Sequence, residues 1–144
     1  DLCLSGWTLG DARDPERHRF PTGTRLAAGA ALVVFGSGVP TGDFGGAIVQ
    51  WAAFGGRINM SNAGDVVTLA DHRGAVHSQI SWGDCADVTC AAEHIDGDLG
   101  VDQSVVRNPE LTGAWAQHAD LAEGVYFSPG HRVDGTPFVV KLSP

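Results

Sequence analysis

The sequence predicts an all-β fold, an antiparallel β-sandwich of roughly seven short strands. Apolar runs of strand length recur along the chain and are separated by turn residues. The 20 Gly and seven Pro residues are scattered singly, as many short turns require. Helical periodicity is lacking, because Gly113 and Trp115 interrupt the helix-forming residues of 111–121. Short strands joined by turns are typical of a sandwich.

A β-hairpin in residues 61–82 is the clearest element. Side chains alternate between two faces before and after a turn, and those at 76, 78, 80 and 82 share one face. The turn is the tetrapeptide 71–74, in which the Asp71 carboxylate caps the backbone and Gly74 supplies a left-handed position. We expect the rest of the chain to be organised around this hairpin.

The first half of the chain predicts three further strands. Residues 1–9 form the first, with a bulge at Ser5-Gly6 where the alternation breaks. A polar loop follows at 10–19. The apolar run 31–35 has the composition of a central strand, and 47–51 is a short strand. Between them, residues 36–46 hold five Gly and one Pro, which predicts a long irregular loop.

After the hairpin, the sequence predicts a second long irregular loop at 83–102. A strand resumes at 103–107, a short extended piece follows at 113–118, and an irregular segment at 127–132 lies back over the body. The length suits one domain spanning residues 1–144.

The charge balance is acidic, with 17 Asp and Glu against 9 Lys and Arg and a formal net charge of −8. This field repels duplex phosphate and argues against non-specific nucleic-acid binding. The local basic cluster at 13–19 is interpreted as a solvated turn. No apolar run approaches the ~20 residues that span a bilayer. Because the chain opens at Asp1 without Met or a signal-peptide pattern, we expect a processed protein or an excised piece.

Three cysteines are present, and two of them predict a local disulfide. Cys85 and Cys90 are separated by four residues in a loop, a spacing that a curled backbone can bridge and that suits an oxidising compartment. A zinc site is the alternative, with His94 near, but further ligands at suitable spacing are lacking. Cys3 is either buried and free or partnered by residues upstream.

The loop 93–102 is a candidate calcium site. Asp96, Asp98 and Asp102 offer hard oxygen ligands at close spacing, and the intervening glycines allow tight curvature. The spacing differs from that of an EF-hand, which ends in a bidentate Glu. A plain solvated acidic loop is the alternative. No other cofactor is indicated.

Aromatic residues supply a second candidate site. Trp7 and Trp82 sit on the apolar faces of their strands and are expected in the core. Trp51 and Trp115 could form a sugar-stacking platform if both were exposed, with His118 beside them. The alternative for His118 is a hydrogen bond to a backbone group.

A catalytic reading of the six histidines has little support. A set such as Ser128, His131 and Asp134 can be assembled from any list of this size, and the sequence contains no Gly-x-Ser-x-Gly elbow. A metal-dependent hydrolase that uses the acidic loop is therefore kept only as an alternative to a binding function.

An ordered set of segments resembles the lamin tail domain family, its bacterial branch in particular. The segments span nearly the whole chain and none is specific alone. They are Leu-Ser-Gly-Trp-Thr-Leu at 4–9, Phe-Pro-Thr-Gly-Thr at 20–24, 26–29, 32–35, Asn-Ala-Gly-Asp-Val-Val-Thr-Leu at 62–69, 103–107, Trp115 with His118, and Ser-Pro-Gly at 128–130.

The resemblance implies an immunoglobulin-like β-sandwich that is not an enzyme. It also implies an interaction or attachment module of a secreted or envelope-associated protein, extracellular or periplasmic, accessory to an upstream enzyme. The partner would be a protein or a cell-envelope component. Alternatives are a calcium- or carbohydrate-binding module.

Two departures from the family pattern matter. One or two strands that usually precede the segment 4–9 are absent, which predicts a missing N-terminal strand or an open sheet edge through which copies of the chain could associate. The loop 83–102 resembles an insertion.

Overall fold

A computed structural model describes residues 1–52, 58–84, 89–97, 99–100, 102 and 104–138. These residues form eleven strands and one helical turn. They are β1 (Leu2–Cys3), β2 (Thr8–Gly10), β3 (His18–Arg19), β4 (Arg25–Leu26), β5 (Leu32–Phe35), β6 (Ile48–Trp51), β7 (Gly64–Ala70), β8 (Val76–Gly83), β9 (Glu93–Ile95), β10 (Val105–Asn108), β11 (Ala114–Gln117) and α1 (His118–Leu121).

The largest sheet has five strands in the order β3-β2-β7-β8-β9, and three two-stranded sheets accompany it: β1–β4, β5–β6 and β10–β11. This confirms the predicted all-β class and agrees with an immunoglobulin-like sandwich. Most pairs are antiparallel, but β5–β6 and β8–β9 are parallel. Parallel neighbours need a crossover rather than a tight turn, and the segment 36–47 provides the crossover between β5 and β6.

The hairpin prediction is confirmed in register. β7 pairs antiparallel with β8 from Gly64–Gly83 to Ala70–Val76. In the turn, Asp71 Oδ1 accepts hydrogen bonds from the backbone N–H groups of Arg73, at 2.8 Å, and Ala75, at 3.0 Å. Gly74 has φ +83° and donates its N–H to the Asp71 carbonyl oxygen. The carboxylate cap and the left-handed glycine therefore have the roles that the sequence predicts.

Several sequence-based expectations are wrong, including the loop at 10–19, which contains β3. The single strand predicted at 1–9 is two strands in different sheets, because the chain turns at Gly6 (φ +75°), where the Trp7 N–H donates to the Leu4 carbonyl oxygen. The loop predicted at 83–102 contains β9, whose short run gave no alternation to detect. The run 31–35, expected at the centre of a sheet, pairs only with β6 among the described residues.

The core confirms the two tryptophans predicted to be inside. Leu4, Trp7 and Phe20 form a buried cluster. Partly buried apolar side chains from four strands pack against it: Leu9, Leu26, Leu32, Val34 and Leu69. Trp82 is also buried and donates its indole N–H to the Ser61 carbonyl oxygen. Burial of these large side chains supplies the main favourable free energy of folding.

Two buried carboxylates fix the loop between β2 and β3 against the start of β7. Asp65 accepts backbone N–H groups from Ala12 and Ser61, both at 3.0 Å. Asp11 is bonded by the Arg17 guanidinium at 2.7 Å. Burial raises the pKa of Asp11, but Arg17 and two backbone N–H groups outweigh it and hold that pKa below its usual range.

Substitution of Gly83 should destabilise the fold more than substitution of Gly74. Both have left-handed φ, which costs a side chain about 1–2 kcal/mol. A Cβ at Gly83 would also lie 2.3 Å from the Ala63 carbonyl oxygen, whereas one at Gly74 meets nothing within 4 Å. We expect Gly74→Ala to lower the free energy of unfolding by about 1–2 kcal/mol and Gly83→Ala by about 3 or more. Urea titration measures both, and equal losses would contradict the crowding at Gly83.

The hairpin turn should give stability a specific acid dependence. Backbone hydrogen bonds from Ala75 and Arg73, then His77, lower the pKa of Asp71 from 3.8 to about 2. Since the folded state resists protonation, this contribution is complete above the unfolded pKa and is lost as pH falls from 3.8 towards 2. Asp71→Asn keeps the acceptor oxygen but cannot titrate. We expect the stability difference between wild type and variant, measured by urea titration, to shrink across this window and stay constant above it.

Candidate functional site

A concave feature lies between two strands of different sheets. We call it the β3–β6 cleft; it has a volume of about 610 Å³ and is lined by residues 18–22 and 49–51 together with Gly6. β3 is at the edge of the five-stranded sheet, and β6 is half of a two-stranded sheet. A volume of this size falls within the range typical of ligand-binding clefts.

The wall of the cleft is largely apolar and carries one exposed aromatic side chain. Trp51, the last residue of β6, is 48% exposed. Phe20 is almost fully buried and joins the cleft to the core cluster. Val49 lies two residues before Trp51 on the same strand. An exposed tryptophan beside a buried phenylalanine provides apolar contact area on a rigid base.

A polar side-chain bridge at the cleft joins the two strands. His18 is 3% exposed, and its Nε2–H donates to Gln50 Oε1 at 2.7 Å. Gln50 in turn donates its amide N–H to Thr24 Oγ1 at 3.2 Å. With this tautomer, Nδ1 of His18 is a buried lone pair that no described residue satisfies. The bridge holds β6 against β3.

The charged group at the cleft is already compensated. The Arg19 guanidinium pairs with both carboxylate oxygens of Glu16 and donates to the Gly6 carbonyl oxygen at 3.1 Å. Arg19 lowers the pKa of Glu16 accordingly. With Arg17 bound to Asp11 and Arg19 to Glu16, two of the three arginines in the basic cluster noted at 13–19 are paired. The cleft therefore suits an uncharged group.

The other two residues predicted for a ligand site lie elsewhere. Trp115 lines a second cleft, of about 340 Å³, with Val105 and Trp82. The Arg107 guanidinium lies 4.5 Å from the Trp115 ring centroid, and the indole N–H donates to Glu93.

His118 is fully buried beneath the C-terminal segment. Its Nδ1–H donates to the Val125 carbonyl oxygen at 2.9 Å, and its Nε2 pairs with Ser128 Oγ. The structure thus gives Trp51 a cleft of its own and does not place Trp115 or His118 in it.

The candidate calcium and disulfide residues fall partly outside the described chain. Asp98 and Cys85 lie outside the described residues. Asp96 is exposed, and Asp102 has φ +56°. Among the described residues, no group of three His, Cys, Asp or Glu side chains could hold a metal ion. Both the calcium site and the Cys85–Cys90 disulfide stay predictions.

Cys3 is exposed, which rules out the first of its two alternatives, a buried free thiol; the second, a partner upstream, stays an expectation. A hydrogen bond with Ser5 lowers the pKa of its thiol.

A Ser-His-Asp arrangement that sequence reasoning missed occurs at β8 and β9. Ser81 Oγ lies 2.9 Å from His94 Nδ1, and His94 Nε2 lies 3.6 Å from Asp96. Ser81 is fully buried and accepts the Ala91 N–H, so its hydroxyl faces no substrate. In a catalytic triad the serine meets Nε2 and the carboxylate orients Nδ1, the reverse of this order.

The serine set named from sequence does not assemble either. Ser128 Oγ lies 2.9 Å from His118 Nε2 and 3.2 Å from the His131 carbonyl oxygen, and neither contact is with the His131 ring. Asp134 accepts hydrogen bonds from Thr136, which lower its pKa. Neither arrangement supports nucleophilic catalysis.

Sequence reasoning also missed His18 and Gln50. From sequence, His18 falls in the polar loop 10–19, and Gln50 has no assigned role within the strand 47–51. The amide side chain of Gln50, inside an otherwise apolar strand, is the signal that could have revealed this pair, because such a group needs a buried hydrogen-bond partner.

Comparison with known proteins identifies the family. The model of the lamin tail domain matches residues 1–84, more than half of the chain. No curated protein and no solved structure matches the chain. The segments noted beyond residue 84 lie outside the matched range, so their resemblance, the bacterial branch and the single domain 1–144 stay expectations.

The described helix is too short to cross a membrane. Lamin tail domains are immunoglobulin-like and generally non-catalytic interaction modules. The chain belongs to the lamin tail domain family.

Proposed function

We propose that this chain is a non-catalytic attachment module of a secreted or envelope-associated protein, and that its β3–β6 cleft binds a protein partner. The observation that carries the proposal is Trp51, half-exposed on the wall of a cleft whose base is part of the core. In this role the domain is accessory to an enzymatic unit of the same protein.

The chemistry of the cleft favours recognition over reaction. Exposed aromatic side chains in concave, rigid surroundings are the usual anchors of binding sites. The His18–Gln50–Thr24 bridge and buried Phe20 fix the geometry before a partner arrives, which lowers the entropic cost of association. The paired Arg19 leaves no charge at the cleft that could polarise a scissile bond.

A protein partner fits the cleft better than a sugar. Carbohydrate sites commonly use more than one exposed aromatic face, but Trp51 and Trp115 line separate clefts and Arg107 lies over the Trp115 ring. The calcium-binding alternative depends on Asp98, outside the described residues. An extracellular or periplasmic location would accord with the predicted Cys85–Cys90 disulfide.

Trp51 should be required for binding. The probe is a library of random ten-residue peptides displayed on phage and selected on the immobilised chain, with a glycan array run in parallel. We expect enriched peptides whose affinity falls about tenfold or more in Trp51→Ala, because truncation of a central aromatic anchor removes most of its buried area.

Tyr126→Ala is the matched control, since Tyr126 is 53% exposed and lies outside the cleft. It should bind as wild type. Glycan binding without peptide enrichment, or peptides insensitive to Trp51→Ala, would overturn the proposal.

Ser81 should matter for stability and not for hydrolysis. Ser81→Ala removes the acceptor of the Ala91 N–H and the hydroxyl paired with His94, so we expect a loss of about 1–3 kcal/mol in urea titration. Ser78→Ala, exposed on the same strand, should lose far less. Hydrolysis of bis(p-nitrophenyl) phosphate or p-nitrophenyl acetate that EDTA or Ser81→Ala abolishes would instead establish the hydrolase alternative.

A further inference from the structure

We infer that β6 accepts an extended segment of the partner protein as an added β-strand, with an apolar side chain of that segment seated in the β3–β6 cleft. The inference rests on the proposed function and names how the partner binds. Its basis is the direction of the β6 backbone groups, the composition of the sheet edges and the charge of the domain.

The hydrogen bonds of β6 show which of its backbone groups face outward. The Ile48 N–H donates to the Ala31 carbonyl oxygen at 3.0 Å, and the Ala52 N–H donates to that of Phe35 at 2.9 Å. Because backbone groups alternate in direction along a strand, Gln50 also faces β5, whereas Val49 and Trp51 face the opposite edge. Among the described residues, no strand pairs with that edge.

The composition of β6 leaves this edge unprotected. Natural proteins block sheet edges with charged residues or proline. β3 carries Arg19 and is followed by Pro21, and β9 carries Glu93. β6, with the sequence Ile-Val-Gln-Trp, has neither device; β1, β5 and β11 also lack both, but of these four strands β6 is the one that lines the β3–β6 cleft. An edge left open beside a cleft is the arrangement that strand addition uses, since main-chain bonds supply affinity and the cleft supplies side-chain selection.

Strand addition also explains the position of the cleft. Residues of the added strand alternate between two faces, so every second side chain can point to the side where Trp51 and Phe20 lie. The cleft contains no unpaired charge, and its apolar wall favours a large aliphatic or aromatic anchor. Small or charged residues at the anchor position should be selected against.

The charge of the domain favours another protein over a second copy as the occupant. Two chains that each carry a net charge of −8 repel one another. A partner segment with Lys or Arg on either side of its apolar anchor is instead attracted. The basic residues would remain at the rim, because the lining of the cleft offers them no carboxylate. Its one charged residue is Arg19, which is already paired with Glu16.

The test uses a peptide from the Trp51-dependent selection, synthesised with one N-methyl group at a time. N-methylation removes a backbone donor without changing the side chain. We expect affinity to fall about tenfold or more at alternate positions and little at those between, and to weaken as salt rises.

Amide hydrogen exchange of the full chain, followed by NMR, locates the pairing. The amides of Val49 and Trp51 should become protected on binding. The amide of Gln50, which already faces β5, should change little and is the internal control.

Each remaining outcome overturns a distinct claim. Trp51-dependent binding without the alternating pattern or the two protected amides refutes strand addition and leaves the proposed function intact. If no Trp51-dependent peptide emerges, the proposed function is refuted, and strand addition, which rests on it, is refuted with it. Light scattering that shows a dimer abolished by Trp51→Ala would make a second copy the occupant.

Discussion

The pairing of β7 with β8 is the interaction on which the rest of the structure depends. β7 pairs with β2, which pairs in turn with β3, and β8 pairs with β9. The turn at Asp71 and the close approach of Gly83 to Ala63 fix its two ends, so the register cannot slip without moving every side chain to the opposite face. Because β3 is placed through this chain of pairings, one wall of the cleft depends on a turn in another part of the molecule.

The second wall is positioned by side chains instead of sheet hydrogen bonds. β6 belongs to a different sheet from β3, and the bridge from His18 through Gln50 to Thr24 joins them across the cleft. A buried polar bridge is costly if any member lacks a partner, and Nδ1 of His18 does lack one among the described residues. The two hydrogen bonds of the bridge nevertheless fix the separation of the two sheets, because they are directional and apolar packing is not.

The sequence predicts local features of this fold better than non-local ones. The hairpin, its capped turn, the burial of Trp7 and Trp82 and the all-β class follow from alternation and turn chemistry, which are written in adjacent residues. The parallel pairs β5–β6 and β8–β9 do not, because nothing within Glu93–Ile95 indicates the strand beside it. For the site, the exposure of Trp51 was open to prediction, but its neighbours His18 and Gln50 are 32 positions apart, and only the folded chain brings them together.

Two features of β6 are unfavourable for an isolated domain, and one function accounts for both. A half-exposed tryptophan forgoes part of the free energy that its burial would supply. An edge without charge or proline invites association with other chains. Each could be removed by a single substitution at a surface position without disturbing the core cluster of Leu4, Trp7 and Phe20. Their coincidence on the same four-residue strand, beside a cleft already rigidified from β3, is what a binding edge requires and what a purely structural strand does not.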